Sequence, residues 1–179
     1  MQIIEEKNED VFLISIKKTF DCRGDFIKTY NLEDLKNLDI NFVPRESYVS
    51  SSHLSVLRGL HYQICEYSHE KLITCLRGKV LDVIVDVRPN SKNFNKPITH
   101  ILSEENPQAL LIGKGYAHGY LSLSDNTIVS YLTSTVYAPN FDCGVLWSSI
   151  DFKWPVKNPI LSERDKLHPS LGNHKCAFS

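Results

Sequence analysis

The stretch Arg58-Gly59-Leu60-His61-Tyr62-Gln63 sets one histidine between a cation and a polar end, directly after the apolar pair Val56-Leu57. An imidazole titrates near neutral pH, so it serves as a general base wherever a pocket, an orienting partner and a substrate with an acidic proton come together. The other reading of His61 is a hydrogen-bonded histidine lining a barrel. Along a strand, Arg58, Leu60 and Tyr62 face one way and Gly59, His61 and Gln63 the other, unless Gly59 introduces a bulge. His61 and Gln63 then share a cavity wall. The remaining polar candidates, Lys71, His118, Tyr131, Tyr137, Asp165 and the cation Arg23, are scattered along the chain, and spacing alone does not bring them together.

The elements that must position these residues are mostly strands. Short β-type runs at 46–52, 56–63, 71–76, 79–87, 98–102, 109–112, 118–123 and 127–135 are separated by turn residues at the spacing of an antiparallel sandwich or barrel. An earlier run, 11–17, carries apolar residues on both faces, as in the middle of a sandwich. Arg77-Gly78 and Asp125-Asn126 read as tight hairpin turns. Phe20 to Phe26 reads as a glycine-punctuated turn bearing two aromatics and an arginine. Asn31 is placed to cap a short helix over 32–38, the only substantial helix expected. After Trp147 the dipeptides Trp154-Pro155, Asn158-Pro159 and His168-Pro169 disfavour helix and inner strand alike, predicting a coil tail wrapped around the barrel. Barrel mouths are regular ligand sites.

Composition excludes several classes of partner. With 42% hydrophobic residues, 23% charged and a formal net charge of -1, the chain is an ordinary globular one without the electrostatic footprint of a nucleic-acid or anionic-membrane binder. Its 179 residues suit one domain, 1–179. The start, Met1-Gln2-Ile3-Ile4-Glu5-Glu6-Lys7, lacks the basic and apolar regions of a signal peptide, and no stretch has the length of a membrane span, so a cytoplasmic protein is expected. Cys22, Cys65, Cys75, Cys143 and Cys176 are odd in number and widely spaced, which argues for reduced, mostly packed thiols rather than disulfides or a thiolate zinc site.

Taken in order, Phe20 to Phe26, Val56 to Gln63, Lys71, Gly78 to Arg88, Gly115-Tyr116-Ala117-His118-Gly119, Tyr131 with Tyr137-Ala138-Pro139, Trp154-Pro155 and Leu161-Ser162-Glu163-Arg164-Asp165 resemble the nucleoside-diphosphate 4-keto-6-deoxysugar 3,5-epimerases. The best-known members of that family are the dTDP-4-dehydrorhamnose 3,5-epimerases. The resemblance covers nearly the whole chain and implies an all-β, cupin-type jelly-roll barrel with one or two short helices and a coil tail. It also implies a homodimer that uses no metal or other cofactor and makes sugars for surface polysaccharides. A C4 ketone acidifies the C–H bonds at C3 and C5, so epimerisation needs a base on one face, an acid on the other and a cation or donor near the enolate oxygen. By resemblance His61 is the base, Asp165 its paired carboxylate, Tyr131 the acid and Lys71 the cation near the keto oxygen. Phe20, Phe26, Tyr137, Gln63 and His118 fall among the substrate-binding positions, and Arg23 and Arg58 suit a diphosphate, since guanidinium groups bind phosphate oxygens bidentately.

One departure bears on the nucleotide. Where the family usually carries Gln and Asn, this chain has Glu46-Ser47-Tyr48-Val49. The Glu46 carboxylate is an acceptor that fits the N–H donors of guanine, which points to the GDP-linked branch, including enzymes of 4-keto-6-deoxyheptoses, beside dTDP. Three rival readings share the fold: a metal-dependent cupin, a nucleotide-sugar 3,4-ketoisomerase and a barrel that binds nucleotide sugars without catalysis. Tyr62-Gln63 after His61 leaves too few ligands for a three-histidine metal site.

Overall fold

A computed structural model describes residues 1–174. Its strands are β1 (Gln2–Asn8), β2 (Val11–Ser15), β3 (Lys18–Asp21), β4 (Gly24–Ile27), β5 (Glu46–Ser52), β6 (Leu57–Gln63), β7 (Lys71–Arg77), β8 (Lys79–Asp86), β9 (Pro97–Ser103), β10 (Gln108–Ile112), β11 (Tyr116–Ser122), β12 (Thr127–Thr133) and β13 (Asp142–Gly144). Two short helices accompany them, α1 (Leu32–Lys36) and α2 (Glu163–Lys166). The strands form a six-stranded sheet, β1-β2-β10-β7-β12-β5, and a five-stranded sheet, β13-β6-β11-β8-β9. From β5 to β8, and again from β9 to β13, every step of the chain crosses from one sheet to the other, the path of a jelly roll.

That path corrects two expectations. Arg77-Gly78 and Asp125-Asn126 are tight turns, but neither closes a hairpin: β7 pairs with β10 and β12, and β8 pairs with β11 and β9. Each turn is a corner between sheets, where Gly78 supplies a positive φ of 75° and Asn126 one of 53°. Conversely, the stretch from Phe20 to Phe26 is a true hairpin, β3 paired with β4 and joined to neither large sheet.

Three apolar layers hold the fold. Between the sheets pack Val11, Leu13, Ile73, Val80, Ile84, Leu102, Leu110, Val129 and neighbours. The outer face of the five-stranded sheet, with Leu60, Tyr62, Val83 and Val85, is covered by Val145, Ile150, Trp154 and Leu171 of the coil that follows β13. Its ring N–H tied to the Trp147 carbonyl at 3.0 Å, Trp154 fastens this tail. The outer face of the six-stranded sheet, with Ile14, Leu72 and Leu111, is covered by Leu35, Ile40 and Phe42. Asn31 caps α1 as expected, its side chain accepting from the N–H groups of Glu33 and Asp34.

Two of the four described cysteines are exposed rather than packed, because Cys22 sits in the β3–β4 turn and Cys65 opens a surface 3-10 helix; Cys176 lies outside the described residues. No helix among the described residues is long and apolar enough to cross a membrane.

Candidate active site

The inter-sheet space is apolar at one end and polar at the other, where it opens into a cavity of about 740 Å³. Around it stand His61, Lys71, Tyr131, Asp165, Glu46, Arg58, Gln63, His118 and Tyr137. Nine of the twelve residues singled out in the sequence are thus brought together. The other three, Phe20, Arg23 and Phe26, are not: they belong to the β3–β4 hairpin, which lines a separate hollow with its own residues only. There Arg23 forks onto Asp21 at 2.6 Å, and Phe20 is 77% exposed. As the hairpin joins neither sheet, nothing in one chain carries it to the cavity.

Gly59 decides how β6 presents its residues. Strict alternation puts Arg58 and His61 on opposite faces, yet both line the cavity, while Leu60 packs behind the sheet. The pairing of β6 with β11 shifts between His118 and Tyr120, opposite Gly59, and this irregularity resets the face. Gly59 has φ of 122°, and a Cβ there would lie 2.6 Å from the Gly119 Cα. Only glycine allows both.

Asp165 reaches His61 from 104 residues away. Ile160 runs alongside the start of β6, donating to the Ser55 carbonyl at 2.9 Å and accepting from the Leu57 N–H at 3.0 Å. Five residues on, α2 turns Asp165 inward, with Ser162 as its cap accepting from the Asp165 N–H at 3.1 Å. The carboxylate meets His61 Nε2 at 2.6 Å through Oδ1 and accepts the Gly59 N–H at 3.2 Å through Oδ2. Burial alone would raise the Asp165 pKa, but the imidazoles of His168 and His61 and the Gly59 amide hold it well below the usual carboxylate range. Burial also lowers the His61 pKa, with Asp165 acting in the opposite direction. His61 therefore rests neutral at pH 7, its Nε2 oriented by a carboxylate and Nδ1 left as the basic nitrogen.

From the facing sheet come Lys71 and Tyr131. Lys71 is buried and donates to the His61 carbonyl at 3.0 Å, and burial brings its pKa down to about 8. Tyr131 stacks on Tyr48 with ring centroids 4.7 Å apart, and burial raises its phenol well above the ordinary value. A phenol so placed stays protonated at neutral pH and is a donor. The His118 and Tyr131 rings pack edge to face with centroids 6.1 Å apart, and His118 Nε2 is held by both Asp82 oxygens at 2.9 and 3.0 Å.

Arg58 borders the mouth, its Nε bonded to Ser52 Oγ at 3.0 Å; Ser52 Oγ in turn meets the Tyr120 hydroxyl at 2.7 Å. The Gln63 amide is occupied at both ends: Oε1 accepts the Ala138 N–H at 2.7 Å and Nε2 donates to the Tyr67 carbonyl at 3.0 Å. It ties two rim loops together. Glu46 accepts the Tyr137 N–H at 2.8 Å, which fixes that aromatic at the cavity edge.

Sequence reasoning missed Asp82, His69, His168 and the Arg164–Asp142 ion pair of 2.6 Å at the rim. Asp82 carried a signal, a carboxylate inside the apolar run Val80-Leu81-Asp82-Val83, where only a buried partner makes it tolerable. His168 carried none.

The family model for dTDP-4-dehydrorhamnose 3,5-epimerase matches residues 5–173. The dTDP-4-dehydrorhamnose 3,5-epimerase of Escherichia coli (strain K12) is 40% identical over 172 residues, covering 93% of this chain and 92% of that one. Among solved structures, the dTDP-4-dehydrorhamnose 3,5-epimerase of Bacillus anthracis with TDP and PPi bound superposes with a TM-score of 0.90 at 37% identity, covering 94% of this chain and 98% of that one. The dTDP-6-deoxy-D-glucose-3,5-epimerase of Legionella pneumophila, in complex with dTDP-4-keto-L-rhamnose, gives 0.90 at 31% identity over 96% and 93% of the two chains. Cupin-type jelly roll and cavity together define a carbohydrate epimerase acting on nucleotide-linked 4-keto sugars. The chain belongs to the dTDP-4-dehydrorhamnose 3,5-epimerase family.

Proposed function

We propose that the chain, as one domain over 1–179, inverts C3 and C5 of a dTDP-linked 4-keto-6-deoxy sugar destined for surface polysaccharide. The carrying observation is that His61 and Tyr131 stand on different sheets and line the same cavity, one from β6 and one from β12. His61 Nδ1 takes the proton next to the ketone, giving an imidazolium that Asp165 stabilises and an enolate whose oxygen is met by the Lys71 ammonium. Tyr131 returns a proton to the opposite face of the same carbon, and imidazolium and phenolate then re-equilibrate with solvent.

dTDP is the better-supported nucleotide. Relatives and neighbours are named for dTDP sugars, and one oxygen of the Glu46 carboxylate is already engaged by the Tyr137 N–H rather than held open for a guanine edge. A homodimer completes the reading. Edge strand β5 exposes Val49, the hairpin exposes Phe20 and Phe26, and a second copy is the means by which those aromatics and Arg23 reach a cavity.

The test is incubation with dTDP-4-keto-6-deoxyglucose in deuterium oxide, followed by NMR. Deuterium entry with inversion at C3 and C5 is the expected result; no entry at either carbon rejects the reading.

A further inference from the structure

Asp165 has a second imidazole beside it. His168, three residues on and 10% exposed, places Nε2 3.4 Å from Asp165 Oδ1. That nitrogen is buried and, apart from this long contact with Asp165, has no hydrogen-bond partner. Leaving a buried N–H or lone pair without a partner is costly, so a nitrogen held this way is suited to a ligand. Its position is built in: the ring lies against Gly144, where any Cβ would collide with it, and Gly144 pairs directly with His61.

We propose that His61, Asp165 and His168 form a binding site for a divalent transition ion such as Zn2+, and that the ion switches the epimerase off. The three ligand atoms lie within 4.8 Å of one another. Imidazole nitrogen and carboxylate oxygen bind zinc at about 2.0–2.2 Å, which sets tetrahedral ligand atoms roughly 3.3–3.6 Å apart, so the His61–Asp165 contact must open and the two imidazoles move by up to about an ångström for all three to share one ion, with water in a fourth position. Two nitrogens and one carboxylate oxygen select such an ion over Mg2+ or Ca2+, which prefer all-oxygen shells. The ion enters from the cavity, where His61 is 30% exposed.

The consequence for turnover rests on the reading of His61 as base. Coordination through Nε2 displaces Asp165 from that nitrogen and leaves the neutral ring's proton on Nδ1, so the nitrogen facing the sugar becomes a donor and cannot accept the C3 proton. Arg58 and Tyr137 are not among the ligands, so nucleotide binding is expected to persist.

The experiment titrates chelator-treated full-length protein with ZnCl2 by calorimetry, and with CoCl2 by visible absorption, in wild type, His168→Gln and His168→Ala. Two substitutions are used because the alanine leaves a hole against Gly144. Expected are one ion per chain in wild type, cobalt bands of a nitrogen–oxygen site, and binding about tenfold or more weaker in both variants. Absence of binding in wild type, or equal binding in wild type and the variants, overturns the site, whatever the reaction catalysed. Deuterium exchange, each protein read against its own zinc-free rate, is expected to fall with zinc in wild type only. Equal loss in the variants overturns the switch.

Discussion

Lys71 Nζ, carried on the six-stranded sheet, donates to the carbonyl oxygen of His61 on the five-stranded sheet at 3.0 Å, so the buried lysine and His61 are fixed to one another across the cavity. Burial lowers the lysine from 10.5 to about 8. If this ammonium stabilises the enolate, kcat/KM falls as pH rises through about 8. Lys71→Arg, whose guanidinium does not deprotonate in this range, moves that basic limb upward. A limb that stays in place assigns it to another group.

The same burial predicts a stability effect of definite sign. A lysine with a folded pKa below its unfolded one destabilises the fold in full at lower pH, where both states are protonated, and the penalty fades between about 8 and 10.5 as the folded state deprotonates first. Lys71→Met therefore stabilises the fold at pH 7 by on the order of a few kcal/mol, seen as a higher melting temperature, and the gain shrinks toward pH 10.5. Thermal melts across that range check it.

Tyr131→Phe removes the proton donor of β12 and leaves His61 and Asp165 intact. The base still removes and returns a proton on its own face, so deuterium exchange persists in part while inversion is lost. NMR of the product in deuterium oxide separates the two. Equal loss of exchange and inversion makes Tyr131 a positioning residue only.

Gly59→Ala puts a Cβ 2.6 Å from Gly119 Cα and 2.8 Å from the His118 carbonyl, at a φ of 122°. Backbone on both sides leaves no room for relief, and a loss of roughly 2–4 kcal/mol in denaturant unfolding is expected. An unchanged midpoint refutes the account of β6.

The sequence was most legible where alternation and turn chemistry are local. The run 46–52 coincides with β5, and the Asn31 cap with the start of α1. The partners of a strand were not legible: Arg77-Gly78 looks the same whether the next strand pairs with the last or crosses to the facing sheet. Strand β1 escaped notice because it is an edge, exposed through most of its length, and shows no buried face. Strand β13 is three residues long. In the site, His61 stands out from its own hexapeptide, whereas Asp165, Lys71 and Tyr131 join it only through resemblance, since residues separated by 104 positions show their contact only in the fold. His168 belongs to no strand and shows in the sequence only as half of a His-Pro breaker, so its place beside Asp165 emerges only from the turn that α2 makes.

The nucleotide is decided by melting temperature. With Glu46 holding Tyr137, dTDP raises it more than GDP at equal concentration, by mass action on the folded state. Glu46→Ala frees the Tyr137 loop and reduces the dTDP shift. A larger shift with GDP assigns Glu46 to a guanine edge.

The central claim is that His61 is the base. His61→Asn keeps a polar side chain beside Asp165 and removes the titrating nitrogen, so deuterium entry at C3 of the 4-keto sugar falls by about 10² to 10⁴ while dTDP still stabilises the fold. Exchange at the wild-type rate in that variant contradicts the account.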